Sequence, residues 1–405
     1  MTAQDLKLLR PLRQAVRHGH PWLYRSAVAA APGLSAGAPV RVVDRDGFVA
    51  WGIWDPEHPI AVRIWSLDAD LPPDAALVEQ RVDRALRLRR ALIPAEVEAW
   101  RLLHGEADGT PGWALDVYGD VWVVRSDGPA AIARLPLLTA QVEARAADWN
   151  VRALVHRRSR GNSDGPRAEI LYGSLPGAPW SLRELHWRME VDVLEGQKTG
   201  WFLDQRENRR RVFELARGRR VANLFSYTGG FSLAAALGGA AAVASIDISA
   251  PATAAARRNF ELNGLDPDDY LFAAVDAFDW LAAEVAAGHN WDLIIVDPPS
   301  FAPNARSVPA ALKAYRRLLQ GAASLVADDG LVAAASCSSH IDFPDLEGVF
   351  AAGVAAAGRN LQILERRGPG VDHPELTAFP EGRYLKFVLG RVDNPRGVAA
   401  DADNR

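Results

Sequence analysis

The chain has 405 residues, 49% of them hydrophobic and 24% charged, with a formal net charge of -4 and a single cysteine. That length exceeds what one hydrophobic core serves, so two or three domains are expected, and the apolar content excludes a disordered chain. The lone cysteine excludes an internal disulfide and a cysteine-rich metal site, so no metal is expected. No stretch approaches the ~20 apolar residues of a membrane span, which points to a cytoplasmic protein.

From the start, short apolar runs alternate with turn signals: "PVRVVD", "FVAWGIWD" and "PIAVRIWS", with Asp46-Gly47 as a hairpin turn. A β-rich module over residues 1–67 follows. Pro72-Pro73 marks a linker, and apolar positions from Leu77 to Leu88 recur at helical spacing over 75–93. "GWALDVYGD" and "VWVVRSD" read as paired strands, followed by a helix around 132–149 and strands near 153–156 and 169–172, a small α+β domain over 75–184. From 185 to 392, apolar strands "RVANLF", "AVASIDI", "WDLIIVDPP" and "GLVAAASCS" alternate with Ala-rich helices near 232–238, 251–263 and 309–327. That rhythm is α/β, a parallel sheet with crossover helices. Residues 393–405 are expected to be a disordered tail.

The net charge argues against nucleic-acid binding over the whole surface, but it is unevenly spread. Residues 1–65 carry eight Lys and Arg against five Asp and Glu, and residues 151–220 carry fifteen against nine. The clusters Arg157, Arg158 and Arg160, and Arg209, Arg210 and Arg211, are candidates for phosphate contact, with a solvated charged face as the alternative.

"ANLFSYTGGFS" joins a strand to a helix through a glycine turn that lets backbone approach a ligand. It lacks the spacing of a Walker loop or a dinucleotide fingerprint. Eighteen residues past Gly229, Asp247 ends a strand where α/β nucleotide binders place a carboxylate on ribose hydroxyls. Asp276 ends another and could reach an adenine or simply cap a helix. "WDLIIVDPPSF" delivers Asp297 to the sheet edge, and its paired prolines stiffen the loop that follows.

With these motifs, the chain resembles the class I S-adenosylmethionine-dependent methyltransferases. Over essentially its whole length it resembles the bacterial 23S ribosomal RNA 5-methylcytosine methyltransferases of the single-cysteine type. "HPWLYRSAV", "LLHGEADGTPGWALDVYGD", "GQKTGWFLDQRENR", "ANLFSYTGGFS", "SIDIS", "WDLIIVDPPSF" and "SCSS" carry the resemblance. It implies an N-terminal PUA-type RNA-binding module, a central α+β domain and a Rossmann-like methyltransferase domain with S-adenosylmethionine as cofactor. It implies that Lys198, Thr199, Phe202, Asp204 and Gln205 line the cofactor pocket beside the turn of Phe225, Tyr227, Thr228, Gly229 and Gly230. Asp247 then holds the ribose, Asp276 the adenine edge, and Asp297 the methionine amino end or the target base. The implied partner is 23S ribosomal RNA or a pre-ribosomal particle, and a homodimer is compatible with the sequence.

C5 of cytosine is a poor nucleophile, and a thiolate added at C6 overcomes this; Cys337 is the candidate, against the alternative of a buried strand-end cysteine. Many RNA cytosine-5 methyltransferases carry a second cysteine after the paired prolines. This chain has Ser300 there, so release must use another base, and His340 is better read as a surface residue or one that supports the site from behind. Arg17, His20, Trp22 and Arg25 are candidate RNA contacts, although Trp22 and Trp51 could equally be core. Two rival readings remain: an exocyclic-amine methyltransferase, which needs no cysteine, and a noncatalytic RNA-binding factor with a methyltransferase fold.

Overall fold

The computed structural model describes residues 3–158, 167–177 and 180–394. Arg160 and residues 395–405 of the expected tail lie outside the described residues. Contacts divide the chain into two compact units. The first gathers residues 1–185, 191–203 and 370–382; the second gathers 186–190, 204–369 and 383–405.

In the first unit, β1 (Gln4–Lys7), α1 (Arg13–Arg17), β2 (Trp22–Tyr24), β3 (Pro39–Asp44), β4 (Gly47–Trp54) and β5 (Ile60–Ser66) build a five-stranded sheet of order β1-β3-β4-β5-β2. The hairpin between β3 and β4 turns at Asp46-Gly47, where Gly47 takes a φ of 95°. A second sheet follows. After α2 (Ala75–Leu92), capped by Asp74, come β6 (Ala99–His104), β7 (Trp113–Tyr118), β8 (Val121–Ser126), α3 (Pro129–Ala133), α4 (Leu135–Trp149), β9 (Ala153–Arg157) and β10 (Ala168–Gly173). These strands lie in the order β10-β9-β8-β7-β6. The apolar stripe of α2, Leu77, Val78, Val82, Ala85 and Leu86, packs with Leu138 and Val142 of α4 onto Trp113, Leu115 and Trp122. The helix is amphipathic as its spacing requires. β11 (Ser181–Glu184) ends the first continuous stretch of this unit.

The second unit begins with β12 (Trp187–Glu190) and α5 (Arg206–Leu215). It continues through β13 (Arg220–Leu224), α6 (Gly230–Leu237), β14 (Ala242–Ile246), α7 (Ala250–Leu262), β15 (Leu271–Ala273), α8 (Ala277–Ala286), β16 (Trp291–Val296), α9 (Val308–Leu325), β17 (Val326–Ser336), α10 (Phe343–Ala356), β18 (Asn360–Arg367) and β19 (Lys386–Asp393). Seven strands form one Rossmann-like sheet of order β15-β14-β13-β16-β17-β19-β18. The first five are parallel; β19 runs antiparallel to both β17 and β18, so the expected parallel sheet is a mixed one.

The central strands are continuous apolar runs because both faces are covered. One face, with Leu224, Ile246, Val296, Ala334 and Val388, packs against Leu281 of α8, Leu318 and Leu319 of α9 and Phe350 of α10. Among the described residues no helix is long and apolar enough to cross a membrane.

Candidate active site

The sheet registers align the ends of five strands. Ala273 of β15 pairs with Ile246, Ile246 with Leu224, Leu224 with Val296, and Val296 with Ala334 of β17. Phe225, Asp247, Asp276, Asp297 and Cys337 follow this row in the chain, so all five issue from one edge, where α/β sheets place their ligands.

The turn after β13 is held in an uncommon conformation. Phe225, Tyr227 and Gly229 have φ of 58°, 48° and 81°, and left-handed backbone costs a non-glycine residue about 1 kcal/mol or more. A Cβ at Gly229 would stand 2.8 Å from that of Ala256, so this position also requires glycine for packing. Two bonds pin the turn to the neighbouring strand: the Ser226 amide donates to the Ile246 carbonyl (2.9 Å), and the Tyr227 amide to Oδ2 of Asp247 (2.8 Å). Oδ1 of Asp247 accepts from the Ser249 amide at 2.8 Å. Gly230 opens α6 directly behind the turn.

The hydroxyl oxygens of Ser226 and Thr228 are buried and have no partner among the described residues. Buried hydroxyls are normally satisfied, and a polar ligand at this edge would supply the partner that each of these lacks. On the same edge Ile248 and Val275 are 74% and 41% exposed, an apolar surface beside the carboxylates of Asp247 and Asp276. Unpaired hydroxyls, an exposed apolar surface and a carboxylate at the end of the second strand are what an adenosyl amino acid requires.

A second chain of contacts orients Asp297. Nε of Arg367 donates to Oδ1 of Asn208 (3.3 Å), Nδ2 of Asn208 to Oε1 of Gln205 (2.7 Å), and Nε2 of Gln205 to Oδ2 of Asp297 (2.9 Å). Asn208 and Gln205 are buried, so the direction of each amide is set by its neighbour. Asp204 is buried too and accepts from the Tyr384 hydroxyl at 2.7 Å.

Cys337 is half-buried, not sealed in the core. The following residue, Ser338, donates from Oγ to the Ala302 carbonyl (2.8 Å), tying the turn that carries the cysteine to the loop after Pro298-Pro299. On α9, burial pushes the Tyr315 phenol far above its ordinary range, so it stays protonated.

A family model described as S-adenosylmethionine-dependent methyltransferase matches residues 130–377, and a PUA-like domain model matches residues 6–67. A ribosomal RNA large subunit methyltransferase of Deinococcus radiodurans is 37% identical over 404 residues, covering 96% of this chain and 97% of the relative. The chain belongs to the S-adenosylmethionine-dependent methyltransferases of the ribosomal RNA large subunit family. Ribosomal RNA large subunit methyltransferase I of Shewanella denitrificans is 34% identical, with 95% and 98% of the two chains covered. A solved S-adenosylmethionine-dependent methyltransferase of Streptococcus mutans shares the fold, with a TM-score of 0.83 over 96% of this chain and 99% of that one at 21% identity. The cofactor of this methyltransferase is S-adenosylmethionine.

The other candidate residues of the methyltransferase are placed as follows. Asp276 caps α8, its Oδ1 accepting from the Phe278 (2.8 Å) and Asp279 (3.4 Å) amides. Lys198, Thr199 and Phe202 belong to the first unit, where the Lys198 ammonium stands 4.3 Å from the Phe202 ring centre. Thr199 donates to Asp116 at 2.5 Å and shares a hydrogen bond with the Tyr118 hydroxyl at 2.9 Å.

Arg17 and Arg25 are exposed, although each gives guanidinium bonds to backbone carbonyls, Arg17 to Leu67 at 2.7 Å and Arg25 to His58 at 2.8 Å. His20 and Trp22 are half-buried; Trp22 donates to Glu106 at 2.7 Å and lies 4.5 Å from the Phe379 ring.

Two expectations for phosphate contact need correction. Arg157 is buried and donates to the carbonyls of Val193 (3.1 Å), Leu194 and Gly196 (2.6 Å), leaving Arg158 nearer the surface. In the run on α5, Arg209 is buried, Arg210 is exposed beside Glu214, and Arg211 pairs with Glu365, because a helix turns successive residues to different faces.

Sequence reasoning passed over Asn208, Ser338, Ile248 and Val275. Apolar residues directly beside strand-end aspartates were the available signal for the last two.

Proposed function

We propose that this methyltransferase forms 5-methylcytosine in 23S ribosomal RNA, in the cytoplasm, through a covalent bond between Cys337 and C6 of the base. The observation that carries the reading is a half-buried thiol at the end of β17, one strand from Asp297, on the edge that bears the glycine turn and Asp247. A cysteine serving only as core would be expected to be fully buried.

The Cys337 thiolate adds to C6, and the electron pair of the C5–C6 double bond becomes available at C5. When bound, S-adenosylmethionine would supply an electrophilic methyl group on a sulfonium, passed to C5 as the carbon–sulfur bond breaks and the sulfur keeps the pair as a neutral thioether. A base then removes the C5 proton, the pair re-forms the double bond, and the thiolate leaves. Asp297, held by Gln205, is assigned to the polar edge of the base. Ser226, Thr228, Asp247 and Asp276 hold the cofactor, with Ile248 and Val275 against the adenine. Arg17 and Arg25 of the PUA-like sheet, which are exposed, and the partly exposed Arg158 just after β9 meet the RNA backbone.

Replacing Cys337 with Ala tests the reading. Methyl transfer to ribosomal RNA, measured by nucleoside mass spectrometry, is expected to fall at least about 1,000-fold, the scale at which nucleophile loss is felt. S-adenosylmethionine binding in a titration is expected to stay within about threefold. Retained activity would point instead to an exocyclic amine as methyl acceptor, which needs no thiol.

A further inference from the structure

We propose that Lys386 is a positioning residue that keeps the Cys337 sulfur in its thiolate form and fixes the turn that carries it. The inference rests on the reading of Cys337 as nucleophile, and three observations support it. Lys386 is only 3% exposed, unusual for a residue that water solvates so strongly. It opens β19 directly opposite Ser336, the residue before the cysteine. Its ammonium donates to the carbonyl of Ser338, the residue after the cysteine, and to that of Tyr384 at 2.9 Å. Lys386 thus brackets Cys337 along the chain, its backbone paired with the residue before and its ammonium bonded to the residue after.

The charges around the thiol make such a cation necessary. Asp297 ends the adjacent strand, and its carboxylate disfavours a neighbouring thiolate. From α9, the protonated Tyr315 phenol lies within electrostatic reach of both Cys337 and Asp297 and adds no charge. His340, three residues on, is exposed. Tyr384, whose carbonyl anchors the ammonium, directs its hydroxyl to Asp204. A buried ammonium one residue from the sulfur offsets Asp297, and burial strengthens that effect because little water intervenes.

The chain's single cysteine makes the test direct, since any thiol modification of the full-length protein reports Cys337. The rate of iodoacetamide alkylation is followed by intact mass across a pH series. The native protein is expected to show a midpoint below about 8.5, the value of a free cysteine. Lys386→Met is expected to raise that midpoint by roughly one pH unit, making alkylation near pH 7 about tenfold slower, whereas Lys386→Arg stays near the native profile.

Binding of S-adenosylmethionine by Lys386→Met shows that the variant is folded. If it is not, the native midpoint and the Arg variant decide. A native midpoint at or above that of free cysteine, an Arg profile displaced as far as a lost charge requires, or a folded Met variant with an unmoved midpoint would overturn the proposal. The Cys337→Ala methylation assay is independent: a shifted midpoint with retained Cys337→Ala activity would leave the effect of Lys386 on the thiol standing and remove the covalent reading.

Discussion

Arg89 and the hydroxyls of Ser226 and Thr228 are all buried, but to different ends. In the first unit, Arg89 makes a two-pronged pair with Asp108 at 2.7 and 2.6 Å and donates to the Asp372 carbonyl at 3.0 Å. Arg101 does likewise with Asp116, at 2.7 and 2.9 Å, and Arg63 bridges Glu106 and Asp127. These charges are satisfied within the fold. At the carboxyl edge of the seven-stranded sheet, the Ser226 and Thr228 oxygens have no partner among the described residues. Charges buried in pairs hold the first unit together, whereas the two oxygens beside the left-handed turn are groups that a polar ligand could satisfy.

The largest effect separating the two regions is expected at Arg89. Arg89→Met strands the Asp108 carboxylate in a dry setting and is expected to lower stability by about 3–5 kcal/mol, read from urea unfolding followed by tryptophan fluorescence. A loss below about 1 kcal/mol would erase the distinction. Next, Asp247→Ala removes both the clamp on the Tyr227 amide and the candidate ribose acceptor. S-adenosylmethionine should bind about 10–100-fold more weakly in calorimetry, while the loss of two backbone contacts lowers stability by about 1–2 kcal/mol, less than at Arg89. Unchanged affinity would assign Asp247 to the turn alone.

The smallest effect is a pH dependence at His156. Burial, reinforced by Arg158, holds its imidazole below the ordinary range, and Nε2 shares a 2.7 Å hydrogen bond with Ser126. In the folded state it is therefore neutral where the unfolded chain would already take up a proton. Its contribution is complete above the ordinary histidine value of about 6.5 and is lost as pH falls below it toward the depressed folded value. Stability measured at pH 7.5 and 5.5 should fall less in His156→Gln than in the native protein; equal slopes would refute the assignment.

Much of this was legible in the sequence. The strands that end at Leu224, Ile246 and Val296 are apolar runs, and the residues that follow them were read correctly as a glycine turn and two edge carboxylates. Helix α8 is absent from the expected helices because Asp276 reads equally as an adenine ligand and as a cap, and only the second reading announces the helix behind it. β6, β18 and β19 were missed for a different reason. "NLQILERR" is only half-buried, and nothing local in "KFVLGRVD" says that it runs against β17. Arg157 was misjudged because the carbonyls that receive it lie more than thirty residues downstream. Long-range partners decide such cases, and composition cannot see them.

β19 is the last strand among the described residues, yet it is inserted between β17 and β18 rather than added at a rim. During synthesis, the edges of both neighbours stay open until the final described residues emerge, and the sheet cannot close before then. The same late segment brings Lys386 to its place. A chain that still lacks this segment therefore has neither its complete sheet nor the lysine that pairs with Ser336.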